Sequence, residues 1–328
     1  TTLFRSIVVG THALIEEDVR FKKLGLAVID EQHRFGVSQR SDFRHKGLNP
    51  NLLVMTATPI PRTLCLTLYG DLDITLLDEM PPRRAETKTL WLRERQRRKA
   101  LEHLEREIEQ GRQGFIICPR IEEGELETSQ HSAEKVFEDL SKGFFSKKKL
   151  ALLHGKLKTS EKDEIMQAFR DGDLDVLVST TVVEVGIDIS NATVMLILKA
   201  ENFGLAQLHQ LRGRIGRGDK ASFCYLISNG SSEEAKQRLK SLVASNDGFE
   251  LARVDLEMRG PGTFFGTRQS GLPELRVANL LEDFEILEDA RKEAFALLEE
   301  DPNLSSPKND KLLELLKERS RHRIYFRS

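Results

Sequence analysis

The chain has 328 residues, 39% of them hydrophobic and 31% charged, which is typical of about two globular domains and excludes a disordered or fibrous protein. Cys65, Cys118 and Cys224 lie far apart without a CxxC pair, which argues against a disulfide framework or a zinc site and favours a reducing cytosol. The net charge of −2 gives no sign of a nucleic-acid partner, and no apolar run approaches the roughly 18 residues of a membrane helix.

Residues 1–82 predict part of a parallel α/β sheet. The run 24–29 is short and aliphatic, so it predicts a strand buried on both faces. Thr11 suits the N-cap of a helix over 13–20. Further strands are predicted at 7–9, 52–55 and 74–77.

Two acids follow the strand at 24–29. Asp30 and Glu31 fall at its carboxyl end, where open α/β sheets bind their ligands. An adjacent acid pair at that place suits nucleotide hydrolysis, since one carboxylate holds Mg²⁺ and the other orients or deprotonates the attacking water. The alternative is that both acids cap the next helix or face solvent.

After a Pro-rich linker at 80–83, the pattern restarts as a second doubly wound parallel sheet. Its strands are predicted at 87–92, 114–118, 149–153, 176–179, 194–198 and 223–227, with helices at 97–110, 132–140, 160–170 and 205–212. The chain then becomes helical, at 233–245, 249–257, 278–300 and 311–317. The predicted domains are therefore 1–82, 83–230 and 231–328.

Basic residues are clustered in three places. The simplest interpretation of each cluster is a solvated helix face, and only a position beside a groove would favour a binding role. The first is Arg93, Arg95, Arg97, Arg98 and Lys99; the second is Lys147–149 with Lys156, Lys158 and Lys162; the third is the tail with Arg319, Arg321, Arg323 and Arg327.

Two motifs in the second sheet suit a nucleotide. TTVVEVGID at 180–188 follows a buried strand and puts Gly186 and Asp188 where they could meet a ribose. QLRGRIGR at 210–217 puts Arg212, Arg214 and Arg217 on one turn, and arginines of this kind stabilise a γ-phosphate across a cleft. The alternative is a basic surface turn. A Gly-rich loop follows at 259–271 and carries Arg268 and Gln269.

These motifs together resemble those of a known superfamily. DEQH, TATPIPRTL, TTVVEVGID and QLRGRIGR occur in the order of motifs two, three, five and six of superfamily two helicases, and GTHAL resembles the DNA-contacting motif upstream of them. The longer blocks resemble the branch that contains the RecG family and the transcription-repair coupling factors. RGPGTFFGTRQSGLPELRVANL looks like the RecG form of the translocation motif, which favours the RecG family.

The resemblance implies two RecA-like parallel-sheet helicase domains, the first truncated, followed by a mostly helical translocation region. It implies a motor, powered by ATP and Mg²⁺, that branch-migrates Holliday junctions and regresses stalled replication forks in recombination and DNA repair. The implied partners are branched double-stranded DNA and single-stranded DNA-binding protein. We expect a cytoplasmic monomer with no membrane association.

The resemblance also implies roles for single residues. Asp30 would hold Mg²⁺, Glu31 would be the base, and His33 would couple the site to DNA. Arg214 and Arg217 would be the arginine fingers. Gln210, Gly186 and Asp188 would complete the nucleotide site. The implied contacts to the DNA backbone are Thr11, His12, Thr56, Thr58, His154 and Thr180, with Arg268 and Gln269 in the loop that couples domain closure to duplex movement.

Three features depart from the family pattern. No GxxxxGK[ST] stretch and no amino-terminal wedge domain occur, which favours a fragment of a longer motor whose first sheet exposes apolar surface. In ILKAENFG, an acid is expected at Lys199 and an arginine at Asn202. The alternatives are a DNA-binding and coupling module without hydrolysis and, less consistent with GTRQSG or DEQH, a coupling factor or a DEAD-type RNA helicase.

Overall fold

The structure is a computed structural model that describes residues 7–14, 16, 18–30, 50–56, 73–77, 79, 85–119, 126–180, 189–230, 232–259 and 283–324. The chain divides into two compact units. The first comprises Thr1–Pro59 and Met80–Asp255, and the second comprises Ile60–Glu79 and Leu256–Ser328. The three domain boundaries expected from the sequence stay a prediction.

A two-stranded parallel sheet contains the run that precedes the acid pair. Strand β1 (Leu26–Ile29) pairs with β2 (Asn51–Val54). The prediction that the first strand is buried on both faces is wrong, because only alternate residues are covered. Leu26 is 56% exposed and Val28 is 54% exposed, whereas Ala27 and Ile29 are buried. Apolar surface is therefore exposed in this part of the chain, as the sequence predicted.

Two other short apolar runs do not form the predicted strands. Residues 7–9 and 74–77 have no regular structure. Ile7, Val9 and Leu77 are 79%, 92% and 88% exposed, whereas Ile74 and Leu76 are half-buried, and neither run pairs with a strand among the described residues. A strand requires a hydrogen-bonding neighbour, which an apolar pattern does not guarantee. The helix predicted from residue 13 is replaced by a short 3-10 helix, His12–Leu14.

The second sheet has six strands, all parallel, as predicted. Its order is β3-β8-β7-β4-β6-β5, and central strands such as β7 are buried throughout because helices cover both faces. The strands are β3 (Thr87–Leu92), β4 (Gln113–Ile117), β5 (Leu150–Leu153), β6 (Val176–Ser179), β7 (Ala192–Leu198) and β8 (Ser222–Ile227).

Helices lie on the two faces of this sheet, each with its own core. On one face pack α1 (Arg97–Glu109) and α2 (Leu126–Lys142). On the other face pack α3 (Thr159–Asp171), α4 (Leu205–Arg212), α5 (Glu233–Ala244) and the start of α6 (Gly248–Arg259). Helix α1 packs on the sheet through one apolar face, because Ala100, Leu101, Leu104 and Ile108 recur at helical spacing and are all buried.

The second unit contains the helices α7 (Phe284–Glu300) and α8 (Asp310–Ile324), with a 3-10 helix at Pro307–Asn309 between them. Asp301 organises the connection, because its carboxylate accepts hydrogen bonds from the backbone N–H of Ser305 and Ser306 and from the Asn309 amide, at 2.9, 2.8 and 2.9 Å. These bonds hold the pKa of Asp301 at about 2. None of the helices that the structure describes is long and apolar enough to cross a membrane.

Candidate functional site

The acid pair and the TATPIPRTL motif of the first predicted domain follow neighbouring strands. Asp30 comes directly after β1 and Thr56 lies two residues after β2, and both are exposed. The two strand ends are aligned, since the Met55 N–H donates to the Ile29 carbonyl at 2.8 Å. Asp30 and Thr56 are therefore at the same sheet edge, where a carboxylate suits Mg²⁺. Glu31, His33 and Thr58 lie outside the described residues.

The segment before β1 contains the remaining candidates from that domain. Thr11 is exposed, and its carbonyl accepts a hydrogen bond from the Leu14 N–H at 3.0 Å. His12 begins the 3-10 helix. Thr11 therefore stands before a short helix, and its side chain faces solvent.

The turn that carries Arg212, Arg214 and Arg217, called the arginine turn below, lies at the edge of the six-stranded sheet where the strands begin, its amino edge. Gly216 has φ +70°, and a Cβ there would lie 2.5 Å from Oγ1 of Thr87, the first residue of β3. At Gly218, a Cβ would lie 2.9 Å from the carbonyl of Ser190, just before β7. The two glycines thus allow the turn to pack tightly against the sheet edge.

Two of the three arginines in this turn are accessible. Arg217 is exposed, and its Nε donates to the Gly213 carbonyl at 3.1 Å. Arg214 and Gln210 are half-buried. Both predicted arginine fingers thus lie on the turn that packs against the sheet edge, and Arg217 is the more exposed of the two.

Arg212 is different, because it is only 4% exposed. Its guanidinium donates to the carbonyls of Leu242 and Ser245, both at 2.8 Å, and contacts Nδ1 of His209 at 3.0 Å. These carbonyls are at the end of α5. Arg212 therefore fastens that helix to the arginine turn, a role that the sequence analysis missed.

The carboxyl edge of the same sheet carries two predicted DNA contacts. His154 follows β5 and Thr180 follows β6, and these strands are neighbours. The Thr180 N–H donates to the Leu153 carbonyl at 3.2 Å, which aligns the two ends. Thr180 is only 6% exposed. His154 is half-buried.

His154 has a buried ring nitrogen. Nδ1 makes no hydrogen bond within the part of the chain that the structure describes. Leaving a buried polar atom unpaired is unfavourable, so a hydrogen-bonding ligand at this position would be stabilising. Lys156 and Lys158 follow at once and are exposed, and the Nζ of Lys162 donates to the Gly155 carbonyl at 2.8 Å. The edge therefore presents exposed positive charge next to His154, which suits a phosphate.

The neighbouring strands β4 and β7 end in a second polar region. Cys118 follows β4, and burial raises the pKa of its thiol to about 12, although the charges of Arg97 and Lys199 act in the opposite direction. Lys199 stands where an acid was expected and has φ +48°, which is uncommon outside glycine. Asn202, where an arginine was expected, ends the 3-10 helix Ala200–Asn202.

Several predicted residues lie outside the described part of the chain. They are Gly186, Asp188, Arg268 and Gln269, in addition to those named above. Among the residues that the structure does describe, no group of three or more His, Cys, Asp or Glu side chains could hold a metal ion.

Comparison with known protein families agrees with this arrangement. Residues 96–219 match the family "Helicase conserved C-terminal domain". Residues 245–328 match the family "ATP-dependent DNA helicase RecG, domain 3, C-terminal". The first match covers most of the six-stranded sheet together with the arginine turn, so this part of the chain has the RecA-like fold of a helicase C-terminal domain.

The chain is also similar to curated proteins named ATP-dependent DNA helicase RecG. It is 52% identical over 288 residues to the protein of Streptococcus pneumoniae serotype 4, covering 88% of this chain and 43% of that protein. It is 49% identical over 301 residues to the protein of Bacillus subtilis strain 168, covering 92% and 44%. The chain belongs to the RecG family and spans about two fifths of the length of these relatives.

Solved structures support the same assignment. A structure of RecG bound to a three-way DNA junction is 46% identical, with a TM-score of 0.64, over 85% of this chain and 36% of that chain. The helicase MrfA bound to DNA is 19% identical, with a TM-score of 0.50 over 67% of this chain and 33% of that one, and shares only the fold.

Proposed function

We propose that this chain is the motor portion of an ATP-dependent double-stranded DNA translocase that branch-migrates Holliday junctions and regresses stalled forks. It would act in recombination and repair, in the bacterial cytosol and nucleoid. Family membership supports the proposal. The observation that carries it is the division of labour within one rigid domain: the arginine turn lies at the amino edge of the sheet, and His154 with its lysines lies at the carboxyl edge.

Opposite edges of one packed sheet suit a motor. Arg214 and Arg217 would sense the nucleotide, while His154 and Thr180 would hold the DNA backbone. Because β7 and its neighbour β4 are buried throughout, a movement imposed at one edge is transmitted to the other as a rigid-body displacement. Contacts to the backbone would position the motor without reading sequence.

The nucleotide would be ATP, bound together with Mg²⁺. ATP supplies the phosphoryl group, and the transfer of this group releases free energy. Asp30 would hold the metal through a carboxylate oxygen and Glu31 would take a proton from water. Gln210, Gly186 and Asp188 would bind the nucleotide from the second domain. Arg214 and Arg217 would neutralise charge on the phosphoryl oxygens, an effect of about 10³ to 10⁵ in rate in other motors.

DNA would contact the first domain through Thr11, His12, Thr56 and Thr58. Arg268 and Gln269 would lie in the loop that couples domain closure to movement of the duplex. The DNA would be branched, and the motor would work as a monomer, with single-stranded DNA-binding protein as a partner.

A second candidate function applies to the chain by itself. The 328 residues contain no GxxxxGK[ST] stretch to cradle the phosphates, which favours a DNA-binding and coupling module that does not hydrolyse ATP unaided.

ATP turnover with Mg²⁺, measured with and without forked DNA, distinguishes the two candidates. DNA-stimulated turnover that Asp30→Ala abolishes supports a self-sufficient motor. Retained DNA binding without turnover supports the coupling module. A chain that neither binds forked DNA nor hydrolyses ATP contradicts both.

A further inference from the structure

One basic cluster of this domain lies at the same sheet edge as His154 although it belongs to none of the helicase motifs. The stretch Arg93–Lys99 follows β3 and begins α1, so it stands at the carboxyl edge of the sheet. Its position is fixed by the end of β8, since the Glu94 N–H donates to Oδ1 of Asn229 at 3.2 Å. The indole N–H of Trp91 also donates to the Ser228 carbonyl, at 3.0 Å.

Part of this cluster carries charge that no described carboxylate neutralises. Arg97 pairs with Glu94 at 3.3 Å and Arg98 pairs with Glu102 at 2.9 Å. The other three cations, Arg93, Arg95 and Lys99, are exposed and make no ion pair within the described residues.

Lys199 adds a fourth cation in the middle of the same edge. It follows β7, which is next to β4, and the helices after these two strands pack on opposite faces of the sheet. Such a reversal is the switch point at which open α/β sheets bind ligands. Lys199 is exposed, without an ion pair among the described residues, and holds φ +48°. A non-glycine residue in the left-handed backbone region is strained, and such residues cluster at functional sites. The conformation of Lys199 therefore favours a binding role at this edge of the sheet.

The cations therefore span the whole carboxyl edge. The strand order puts β5, with His154 and Lys156, at one end and β3, with Arg93 and Arg95, at the other. Five inter-strand steps of about 4.8 Å give about 24 Å. Successive phosphates of one DNA strand advance by about 3.4 Å, so this edge matches about seven base pairs.

We infer that Arg93, Arg95, Lys99 and Lys199 extend the DNA-backbone site of His154 along the whole carboxyl edge of the sheet. This inference rests on the proposed DNA binding and names a part of the protein that contacts DNA outside the helicase motifs. The recognised chemistry is the phosphate backbone of duplex DNA.

The chain itself offers a matched control. Lys147–149 carry the same number of charges as Arg93, Arg95 and Lys199, but they immediately precede β5 and so lie at the amino edge of the sheet. Two variants with equal net charge can therefore be compared, Arg93→Gln/Arg95→Gln/Lys199→Gln and Lys147→Gln/Lys148→Gln/Lys149→Gln.

The measurement is affinity for a duplex of about 20 base pairs as a function of salt. Each lost phosphate contact reduces the magnitude of the slope of log K against log salt by about 0.9. The carboxyl-edge variant, which lacks three cations, should therefore have a slope that is smaller in magnitude by about 2 to 3 than that of the wild type. When the salt concentration rises from 50 to 200 mM, the affinity of the wild type should therefore fall by a factor about 40 times larger than the affinity of this variant does. The amino-edge variant should keep the wild-type slope. Fluorescence melting of Trp91 verifies that both variants fold.

A single substitution separates binding from structure at Lys199. Asparagine tolerates the left-handed conformation, so Lys199→Asn should leave Tm unchanged or raised while it lowers the slope by about 0.9. A lysine with only a structural role would show the opposite, with a lower Tm and the wild-type slope.

The remaining outcomes are decisive too. If both triple variants lose the same slope, or if neither does, the extended site is wrong while the proposed DNA binding stands. If the wild-type chain binds no duplex at 50 mM salt, the proposed function fails and the extended site fails with it.

Discussion

Replacing Arg212 by alanine should destabilise the six-stranded domain strongly. Its buried guanidinium holds the carbonyls of Leu242 and Ser245, both at 2.8 Å. Each charge-assisted hydrogen bond is worth about 1.5 to 3 kcal/mol, and Arg212→Ala also leaves both carbonyls without this donor, so we expect a loss of about 3 to 5 kcal/mol. That is a large part of the roughly 5 to 15 kcal/mol that stabilises a whole domain.

Urea unfolding followed by Trp91 fluorescence measures this loss. Trp91 is the only tryptophan of the chain and lies in β3, so its signal reports on the six-stranded sheet. With an m value of about 2 kcal/mol/M, the midpoint should fall by about 2 M. Arg217→Ala is the matched control, because Arg217 is exposed on the same turn. A midpoint shift below about 0.5 M for Arg212→Ala, or equal shifts for both variants, would refute the structural role.

Four further predictions concern stability. Gly216→Ala should lower Tm more than Gly111→Ala, since both glycines have positive φ, 70° and 78°, but only position 216 lacks space for a Cβ; equal losses would contradict this. Gln113→Leu removes the donor to the buried carbonyl of Phe169 and the partly buried carbonyl of Leu174, at 2.6 and 2.7 Å, and should cost about 2 to 4 kcal/mol by urea unfolding, whereas a loss under about 1 kcal/mol would be inconsistent with those bonds. Burial lowers the pKa of His103 below 6.5, so the stability from its neutral form is present above pH 6.5 and lost as the pH falls; His103→Asn should flatten the stability profile below pH 6.5, and an unchanged profile would disprove it. Hydrogen bonds, that of Ser306 first, lower the pKa of Asp301 from 3.8 to about 2, so its contribution is present above pH 3.8 and lost towards pH 2; Asp301→Ala should speed amide exchange in the turn after α7 at neutral pH, and unchanged exchange would argue against the role.

The sequence predicted the second sheet well because its strands are buried apolar runs separated by helices. Strands β3 and β6 and helix α4 have the predicted bounds. The runs at 7–9 and 74–77 had the same local pattern but formed no strand. Local apolar content identifies a strand only where a neighbouring strand and a covering layer are present, and these are tertiary properties.

The motifs identified the arginine turn but not the inward role of Arg212. The information was nevertheless in the sequence. Arg212 lies four residues after Leu208 and seven after Leu205, so it falls on the buried face of α4. A helical-face argument would have separated it from Arg214 and Arg217.

The two basic clusters around the second sheet could also have been distinguished earlier. A cluster that follows a strand lies at the carboxyl edge and one that precedes a strand lies at the amino edge, which separates Arg93–Lys99 from Lys147–149. The left-handed backbone of Lys199 could not be predicted, because only the surrounding turn imposes it.

The most direct test of the DNA-motor account is the binding of a labelled forked duplex to the chain, measured by fluorescence anisotropy over a series of salt concentrations. The account predicts saturable binding whose log K falls linearly with log salt, with a slope that corresponds to several phosphates at about 0.9 each. No binding at about 50 mM salt, or binding that does not depend on salt, would contradict the claim that the carboxyl edge of this sheet holds the DNA backbone.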